Sequence, residues 1–495
     1  MSKHNVLLIG SGLMTPPLIK HLVQFGDTHV TIASNLVDDA KRLCEISPDH
    51  LSAAYLDIAN QEELEKLIGA HDHVISFIPP WMHTPVAAAT LKMGKNMTTS
   101  SYSSPDMMKM DDEVKSKGLV FLNECGLDPG IDILGTMKIV HQAEKAGLKI
   151  TSYESYCGGL PAAENADNPL GYKFSWNPGA AIRASRNPAI FMKNGKREEQ
   201  PNCLKCVEQR DDFSVSMKFE TYPNRDSTAF MEKFGMQDCE TFIRGTIRYT
   251  GFCWVISAFH DLAVTSDEPF EGEGSFKDFL TAKVAAAEKK SNSVMGEKFD
   301  KHIDVVTEGF SQADATLIRD LLHKVDFSYV KCADETVKAM NNIVKTLKFL
   351  DFFDDNNKIK AKTDDGKARS ALDILGDLMV KKLAMADNDR DLIAMRHIFK
   401  IHDPKDGESW EHTSTMVVTG DSKASGNQSM MAITVGVTCG IATRMVLEGE
   451  VKKTGVLSPI TPEIYEPILK ELEKKGIFMV DESSSDKGLK KMQGL

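Results

Sequence analysis

Positive charge is scarce in this 495-residue chain: 59 Lys and Arg stand against 71 Asp and Glu, for a formal net charge of -12. Nucleic acid and anionic membrane surfaces both require a dense cationic face, so this balance argues against either partner. Long apolar runs are also missing. The longest weakly charged stretch, Met430 to Thr443, is too short to cross a bilayer and holds Thr434 and Thr438. The N-terminus carries Lys3 and His4 and then enters a strand, so no secretory leader is expected. The nine cysteines are odd in number and share no spacing, which argues for reduced thiols over a disulfide framework. A lone CxxC, Cys203 and Cys206, has no two further ligands nearby in sequence, so no metal is expected. Internal repeats are absent. A soluble cytoplasmic protein follows, and its length with 42% hydrophobic residues predicts two or three domains.

What is present begins at once. Val6-Leu7-Leu8-Ile9 runs into Gly10-Ser11-Gly12, the strand, glycine turn and helix with which dinucleotide-binding folds open. The first glycine permits the sharp turn, and the second lets backbone N–H groups approach a pyrophosphate at a helix N-terminus. Pro16 and Pro17 suit the first helical turn, Leu18, Ile19, Leu22 and Val23 form one apolar face, and Gly26 ends the helix. Thr15 replaces the third glycine of the fingerprint, which should hold helix and strand slightly apart. An ordinary tight strand-to-helix turn remains the alternative.

Further strands are expected at Thr28 to Ala33, Leu51 to Leu56, His73 to Ile78, Asn96 to Thr99 and Leu119 to Asn123. Between them, Thr84 as cap and Pro85 as first residue predict a helix ending at Gly94. Alternating strands and helices imply a doubly wound parallel sheet, an α/β fold whose ligands lie beyond the carboxyl ends of the strands. From Leu148 the sequence turns β-rich, through Tyr153 to Gly159, Phe213 to Tyr222 and Thr241 to Phe252. From Phe276 to Met395 it is charged and helical in spacing, as in Ala315 to Val325 and Asp373 to Leu383. Strands return at His397 to His402 and Glu411 to Thr419, followed by a small-residue helix from Met430 to Leu447 fit for close packing, and a frayed, solvated tail after Asp481. The expected organisation is therefore a Rossmann-type domain over 1–130, an α+β substrate and dimerisation domain over 131–275 plus 396–428, a helical subdomain over 276–395, and C-terminal helices over 429–495 packing back on the first domain.

Four groups of residues carry the chemistry. The second strand ends in Ser34 and Asn35 with no carboxylate to repel a 2′-phosphate, which favours NADP over NAD; two turn-forming residues would leave that preference open. Asp128 stands on an Asp-Pro-Gly turn within Asn123 to Asp132, either at the meeting point of nicotinamide and substrate or as a turn former. The loop Tyr156-Cys157-Gly158-Gly159-Leu160-Pro161, with Asp167 to Trp176, is dense in glycine, aromatic and polar residues and suits a binding surface. Arg225, Arg244 and Arg248 can clamp carboxylates bidentately, or sit in exposed ion pairs.

Together these runs resemble the glutamate-forming saccharopine dehydrogenases, also called saccharopine reductases, of the α-aminoadipate route of lysine metabolism. The resemblance rests on Val6 to Gly12, Val74-Ile75-Ser76 with Ile78-Pro79, Thr99-Ser100-Ser101-Tyr102, Asn123-Glu124, Gly126 to Asp132, Tyr156 to Pro161 and Asp167 to Trp176. It continues through Tyr222 to Ser227, Arg244-Gly245-Thr246 with Arg248-Tyr249, and Thr434-Val435-Gly436 with Ile441-Ala442-Thr443. It implies that glutamate and α-aminoadipate δ-semialdehyde condense to an imine that NADPH reduces to saccharopine, with the reverse oxidation also open. It further implies cofactor contacts from Gly10, Ser11, Gly12, Leu13, Met14, Ser34, Asn35, Asp57, Ile58, Ile78, Leu127, Asp128, Pro129 and Ser175. Implied substrate contacts are Ser100, Ser101, Tyr102, Asp128, Arg225, Arg244, Gly245 and Thr246, with Lys173 added because a triply carboxylated substrate needs local cations. Asp128, Cys157 and Tyr102 are the candidates for proton transfer. Asn35 departs from the family's common arginine and Thr438 from a helix proline. A homodimer is expected on the same basis. A related imine reductase such as carboxynorspermidine dehydrogenase, or a non-catalytic NADP(H)-binding protein, is the alternative; Arg225 with Arg244-Gly245-Thr246 speaks against the first.

Overall fold

The structure is a computed structural model describing residues 3–174, 178–211, 213, 217–290, 298–426 and 428–494. The chain divides into two units, one built from Met1–Cys157, Glu232–Gln237 and Met395–Leu495, the other from Gly158–Met231 and Asp238–Ala394.

The first unit opens with strands β1 (His4–Ile9), β2 (Thr28–Ser34), β3 (Leu51–Tyr55), β4 (His73–Ser76), β5 (Asn96–Thr99) and β6 (Val120–Leu122), paired in the order β6-β5-β4-β1-β2-β3. All pair in parallel, and Val6 to Ile9 are almost fully buried because both faces of the sheet are covered. Leu7, Ile9 and Val74 face a cluster with Leu64, Val86 and Phe121, whereas Val6, Leu8 and Ile32 face Leu18, Ile19, Leu22 and Cys439. Register aligns the strand ends: Ile9 stands opposite Ala33 and Ser76, and Ser76 opposite Thr99. The turns that follow therefore share one edge of the sheet.

The first helix, Thr15–Val23, carries Pro16 and Pro17 in its opening turn, with Thr15 fully buried. The helix expected to start with a Thr84 cap instead runs His83–Lys92, with Met82 at the cap position. Pro80–Met82 forms a single 3-10 turn that feeds directly into it, leaving Thr84 inside the first turn with its hydroxyl 3.3 Å from that of Ser104.

The long strand β7 (Lys149–Pro161) leads into the second unit, which adds β8 (Ala189–Lys193), β9 (Lys196–Gln200), β10 (Glu208–Arg210), β11 (Phe219–Pro223) and β12 (Thr241–Tyr249). Strands β8 and β9 form a hairpin missed in the sequence, closed by Asn194 and Gly195, both at positive φ, as its two-residue turn requires. Strand β12 stops at Tyr249 rather than Phe252, since Gly251 at φ +107° caps the helix Phe252–Asp261. Strand β11 begins only at Phe219, and 214–216 of the longer strand anticipated lie outside the described residues. Helices Phe276–Ala286, Lys298–Val306, Gln312–Leu322, Ala333–Phe349 and Ala371–Leu383 follow, three of them capped by Ser275, Ser311 and Ser370.

The chain then returns to the first unit within β13 (Asp391–His402), at Met395, and completes it with β14 (Ser409–Thr419), the helix Met430–Leu447, β15 (Gly455–Leu457), the helix Pro462–Glu473, β16 (Val480–Ser483) and the helix Asp486–Gln493. Strand β15 pairs in parallel with β6 and adds a seventh strand to the nucleotide sheet. The tail after Asp481 is ordered rather than frayed: β16 pairs with β14, and Lys487 and Lys491 bind Asp403, Asp406 and Glu408. Met430–Leu447 is, contrary to expectation, long and apolar enough to cross a membrane by length and composition, with a mean hydropathy of 1.7, yet 67% of it is buried in the fold. It lies on Thr15–Val23 so closely that a Cβ at Gly436 would fall 2.7 Å from the Met14 carbonyl oxygen.

Candidate active site

The glycine turn sits where β1 passes the end of β4. Gly10 has φ +119°, and a Cβ there would lie 2.2 Å from the Phe77 carbonyl oxygen, so only glycine fits. Gly12 is exposed, and a Cβ on it would meet nothing within 4 Å, leaving its backbone open to a ligand at the start of Thr15–Val23. Ser11 donates to the Ser34 hydroxyl at 2.9 Å, which also accepts the Leu36 N–H at 3.0 Å, tying the turn to the end of β2. Asn35 is exposed beside it. Asp57 is exposed after β3 and accepts the Ala59 N–H, while Ile58 and Ile78 pack half-buried on the sheet. Leu13, Leu36 and Trp81 stay 72%, 60% and 77% exposed along this edge. An open glycine backbone at a helix start, two linked hydroxyls, no carboxylate from Ser34 to Leu36 and uncovered apolar side chains fit a phosphorylated dinucleotide.

Beyond β5 and β6 a second cluster forms. The Glu124 N–H donates to the Ser101 carbonyl and that of Cys125 to Thr99, so the loop after β6 lies along Ser100 to Ser103. Gly130 closes this loop: a Cβ there would fall 2.0 Å from the Gly126 carbonyl oxygen. Its N–H donates to Asp132 at 2.7 Å. From Leu119 to Met137 every residue is buried except Asp128. The Tyr102 hydroxyl donates to Asp128 Oδ1 at 2.6 Å. Leu127 and Pro129 flank it, buried. Asp128, Tyr102, Ser100 and Ser101 thus come together, and Cys157 lies buried on β7.

In the second unit, Arg244 and Gly245 are buried on β12, with the guanidinium 4.1 Å above the centre of the Phe230 ring. The loop after β11 is stitched to this strand by Asn224 N–H to the Arg244 carbonyl and by Asn224 Nδ2 to Thr246 Oγ1 at 2.6 Å. Arg225 occupies the exposed corner of that loop at φ +51°. Arg248 packs over Tyr172 and Phe252 and donates to the Ile247 carbonyl, which is a structural setting for that guanidinium. Lys173 is also drawn inward: its ammonium pairs with Asp389 at 2.9 Å and Asp167 at 3.0 Å. Burial opposes its charge, and those two carboxylates more than offset this and raise its pKa. Ser175 lies outside the described residues. The thiols of Cys203 and Cys206 are pushed up by burial to about 12 and about 11. One group of possible metal ligands occurs among the described residues, His4, Asp27 and Glu448, and its carboxylates already carry Lys3 and Arg444.

Residues 6–122 match the family model of the saccharopine dehydrogenase NADP binding domain, and residues 126–477 that of the saccharopine dehydrogenase C-terminal domain. The chain belongs to the saccharopine dehydrogenase family. The family member "Saccharopine dehydrogenase [NADP(+), L-glutamate-forming]" of Pyricularia oryzae is 35% identical over 96% of this chain and 98% of its own. That of Saccharomyces cerevisiae is 34% identical over 97% and 99%. The solved apo structure of histidine-tagged saccharopine dehydrogenase (L-Glu forming) from Saccharomyces cerevisiae superposes with a TM-score of 0.81 at 34% identity, covering 97% of this chain and all of that one. The saccharopine dehydrogenase fold, with its doubly wound nucleotide sheet and mixed second sheet, is therefore the fold of this chain.

Two polar residues of this candidate site, His83 and Lys233, escaped the sequence reading, and Glu124 was read only as part of the run Asn123 to Asp132. His83 bridges Ser76 and Ser101, and the buried Glu124 accepts the Ser103 N–H and binds Lys233. A histidine just past a parallel strand's carboxyl end was the available signal for His83. Lys233 is 109 residues from Glu124 and gave none.

Proposed function

We propose that this protein is an NADP(H)-dependent oxidoreductase of lysine metabolism that interconverts saccharopine with L-glutamate and α-aminoadipate δ-semialdehyde. Near-full-length similarity to glutamate-forming relatives supports the reaction, and one observation in the fold carries the site: Asp128, the sole exposed residue of a buried loop, is held by Tyr102 at the edge of the sheet that bears the glycine turn. The glutamate amine adds to the aldehyde, water leaves to form a C=N bond, and addition of hydride to carbon and a proton to nitrogen gives the secondary amine. Bound NADPH supplies the hydride. Residues of the chain bind, orient and move protons. Asp128, oriented by the Tyr102 hydroxyl, takes the proton that the attacking amine gives up, and Tyr102 and Cys157 are the candidates for its return. Ser100, Ser101, Arg225, Arg244, Gly245 and Thr246 are assigned to the substrate and its carboxylates. Lys173 is left out of that set because Asp167 and Asp389 occupy it.

Gly10 to Met14, Asp57, Ile58, Ile78 and Leu127 to Pro129 are assigned to the dinucleotide, with Ser34 and Asn35 giving NADP its advantage over NAD. Nine free cysteines are consistent with a cytoplasmic location. A homodimeric assembly goes with the reading and is tested by sedimentation. The deciding assay follows NADPH absorbance with purified protein. It should rise with saccharopine and NADP⁺ and fall with glutamate, semialdehyde and NADPH; no change in either direction overturns the reading.

A further inference from the structure

His83 opens the helix His83–Lys92, is 3% exposed, and has both ring nitrogens engaged: Nδ1 lies 2.7 Å from Ser76 Oγ and Nε2 2.8 Å from Ser101 Oγ. Burial holds its pKa down at about 4, so the ring is neutral near neutral pH. A neutral imidazole donates from one nitrogen and accepts at the other, so its tautomer sets the direction of the whole chain of hydrogen bonds. Ser76 decides that direction. Its hydroxyl is fully buried at the end of β4, and His83 is its hydrogen-bond partner there among the described residues. A buried hydroxyl proton with no acceptor is costly, so Ser76 donates to Nδ1, and Nε2 carries the proton and donates to Ser101. The hydroxyl proton of Ser101 is thereby turned away from His83. The Ser101 backbone is fixed as well: its carbonyl accepts the Glu124 N–H at 3.0 Å, and its N–H reaches Thr99 Oγ1 at 3.2 Å.

We propose that His83 is a positioning residue: as the Nε2–H tautomer it makes Ser101 a one-way hydrogen-bond donor to a carboxylate oxygen of the amino-acid substrate. The proposal rests on the saccharopine reading above. It explains why a histidine is kept buried beside the Ser100-Ser101-Tyr102 segment with no charge partner of its own. Serine alone would rotate its proton among several acceptors, whereas a serine already accepting from an imidazole presents one donor in one direction.

Two measurements test this. In ligand-free protein labelled with ¹⁵N-histidine, the His83 ring, identified by its loss in His83→Asn, should show a protonated Nε2 and a bare Nδ1, unchanged from pH ~5 to ~8. The opposite tautomer overturns the proposal whatever the substrate. In kinetics, Ser101→Ala and His83→Ala should each raise the saccharopine KM about tenfold with kcat nearly unchanged. NADPH affinity by fluorescence titration should hold. The double variant should be no worse than Ser101→Ala, because His83 acts through Ser101, and His83→Asn, whose amide can still donate, should recover part of the loss. Additive losses, or a His83→Ala defect shared equally by NADPH, overturn it. If His83→Ala fails to fold, the tautomer and the His83→Asn KM still decide. Wild-type protein inert toward saccharopine would overturn the functional reading and this proposal with it, and would show before any variant is made.

Discussion

Lys173 and Arg225 are both loop cations of the second unit, and their surroundings separate them. The Lys173 side chain is 11% exposed and its ammonium is bound by two carboxylates of its own fold, whereas Arg225 stands exposed on a left-handed corner stitched to Arg244 and Thr246. Replacing Lys173 by Met should therefore act on stability, costing about 2 kcal/mol because the half-buried Asp389 loses its cation and keeps only the Asn165 amide and the Ala386 N–H, with saccharopine KM little moved. Arg225→Ala should do the reverse, raising saccharopine KM at least about tenfold while unfolding midpoint and NADPH affinity stay near wild type. Denaturant melts and steady-state kinetics on the two variants check this, and matching behaviour would contradict the division of roles. Sequence could name both residues as cations near a glycine- and aromatic-rich loop. It could not show that Asp389, 216 positions from Lys173, consumes one of them, because such pairs exist only after folding.

At the scale of elements, what was legible followed from local physics. Strands β1 to β5 announce themselves by apolar runs ending in turns, and Met430–Leu447 by its small residues and the glycine beyond it. Strands β15 and β16 have three and four residues and are stable through their neighbours, β6 and β14, so no local pattern marks them. The Asp128 loop was legible as a turn but not as a buried loop with one exposed carboxylate, since that contrast depends on Ser100 to Ser103 packing beneath it. The contact of Met430–Leu447 with Thr15–Val23 gives a direct test. Gly436→Leu forces a side chain against the Met14 carbonyl and Leu18 N–H, where a Cβ has 2.7 and 2.9 Å. It should cost about 1 to 3 kcal/mol of stability and also weaken NADPH binding, because the displaced helix start is the one below Gly12. Loss of stability with cofactor affinity intact, by thermal melt and fluorescence titration, would uncouple the two.

Over the whole molecule, several buried histidines set the response to acid. Burial lowers the pKa of His21, His83 and His260 to about 4 and that of His73 to about 3. In the unfolded chain these rings titrate near the ordinary 6.5, so between those values the unfolded state takes up protons that the folded state refuses. Stability is thus fully present above pH ~6.5 and falls as pH drops toward ~4, by up to about 3 kcal/mol for a single such ring. The urea midpoint should be flat from pH ~8 to ~7 and markedly lower at pH ~5; equal midpoints at ~7 and ~5 would refute the assignment.

The seventh strand of the nucleotide sheet gives the chain a particular order of assembly. Because Gly455–Leu457 closes the edge beside Val120–Leu122, a growing polypeptide leaves the ribosome with its cofactor-binding half unfinished while more than three hundred residues are still being made. The open flank of β6 must wait for Gly455–Leu457 to be made, so nucleotide affinity should appear only once that strand has emerged, together with the loop after β6, whose Asn123 N–H donates to the Leu457 carbonyl.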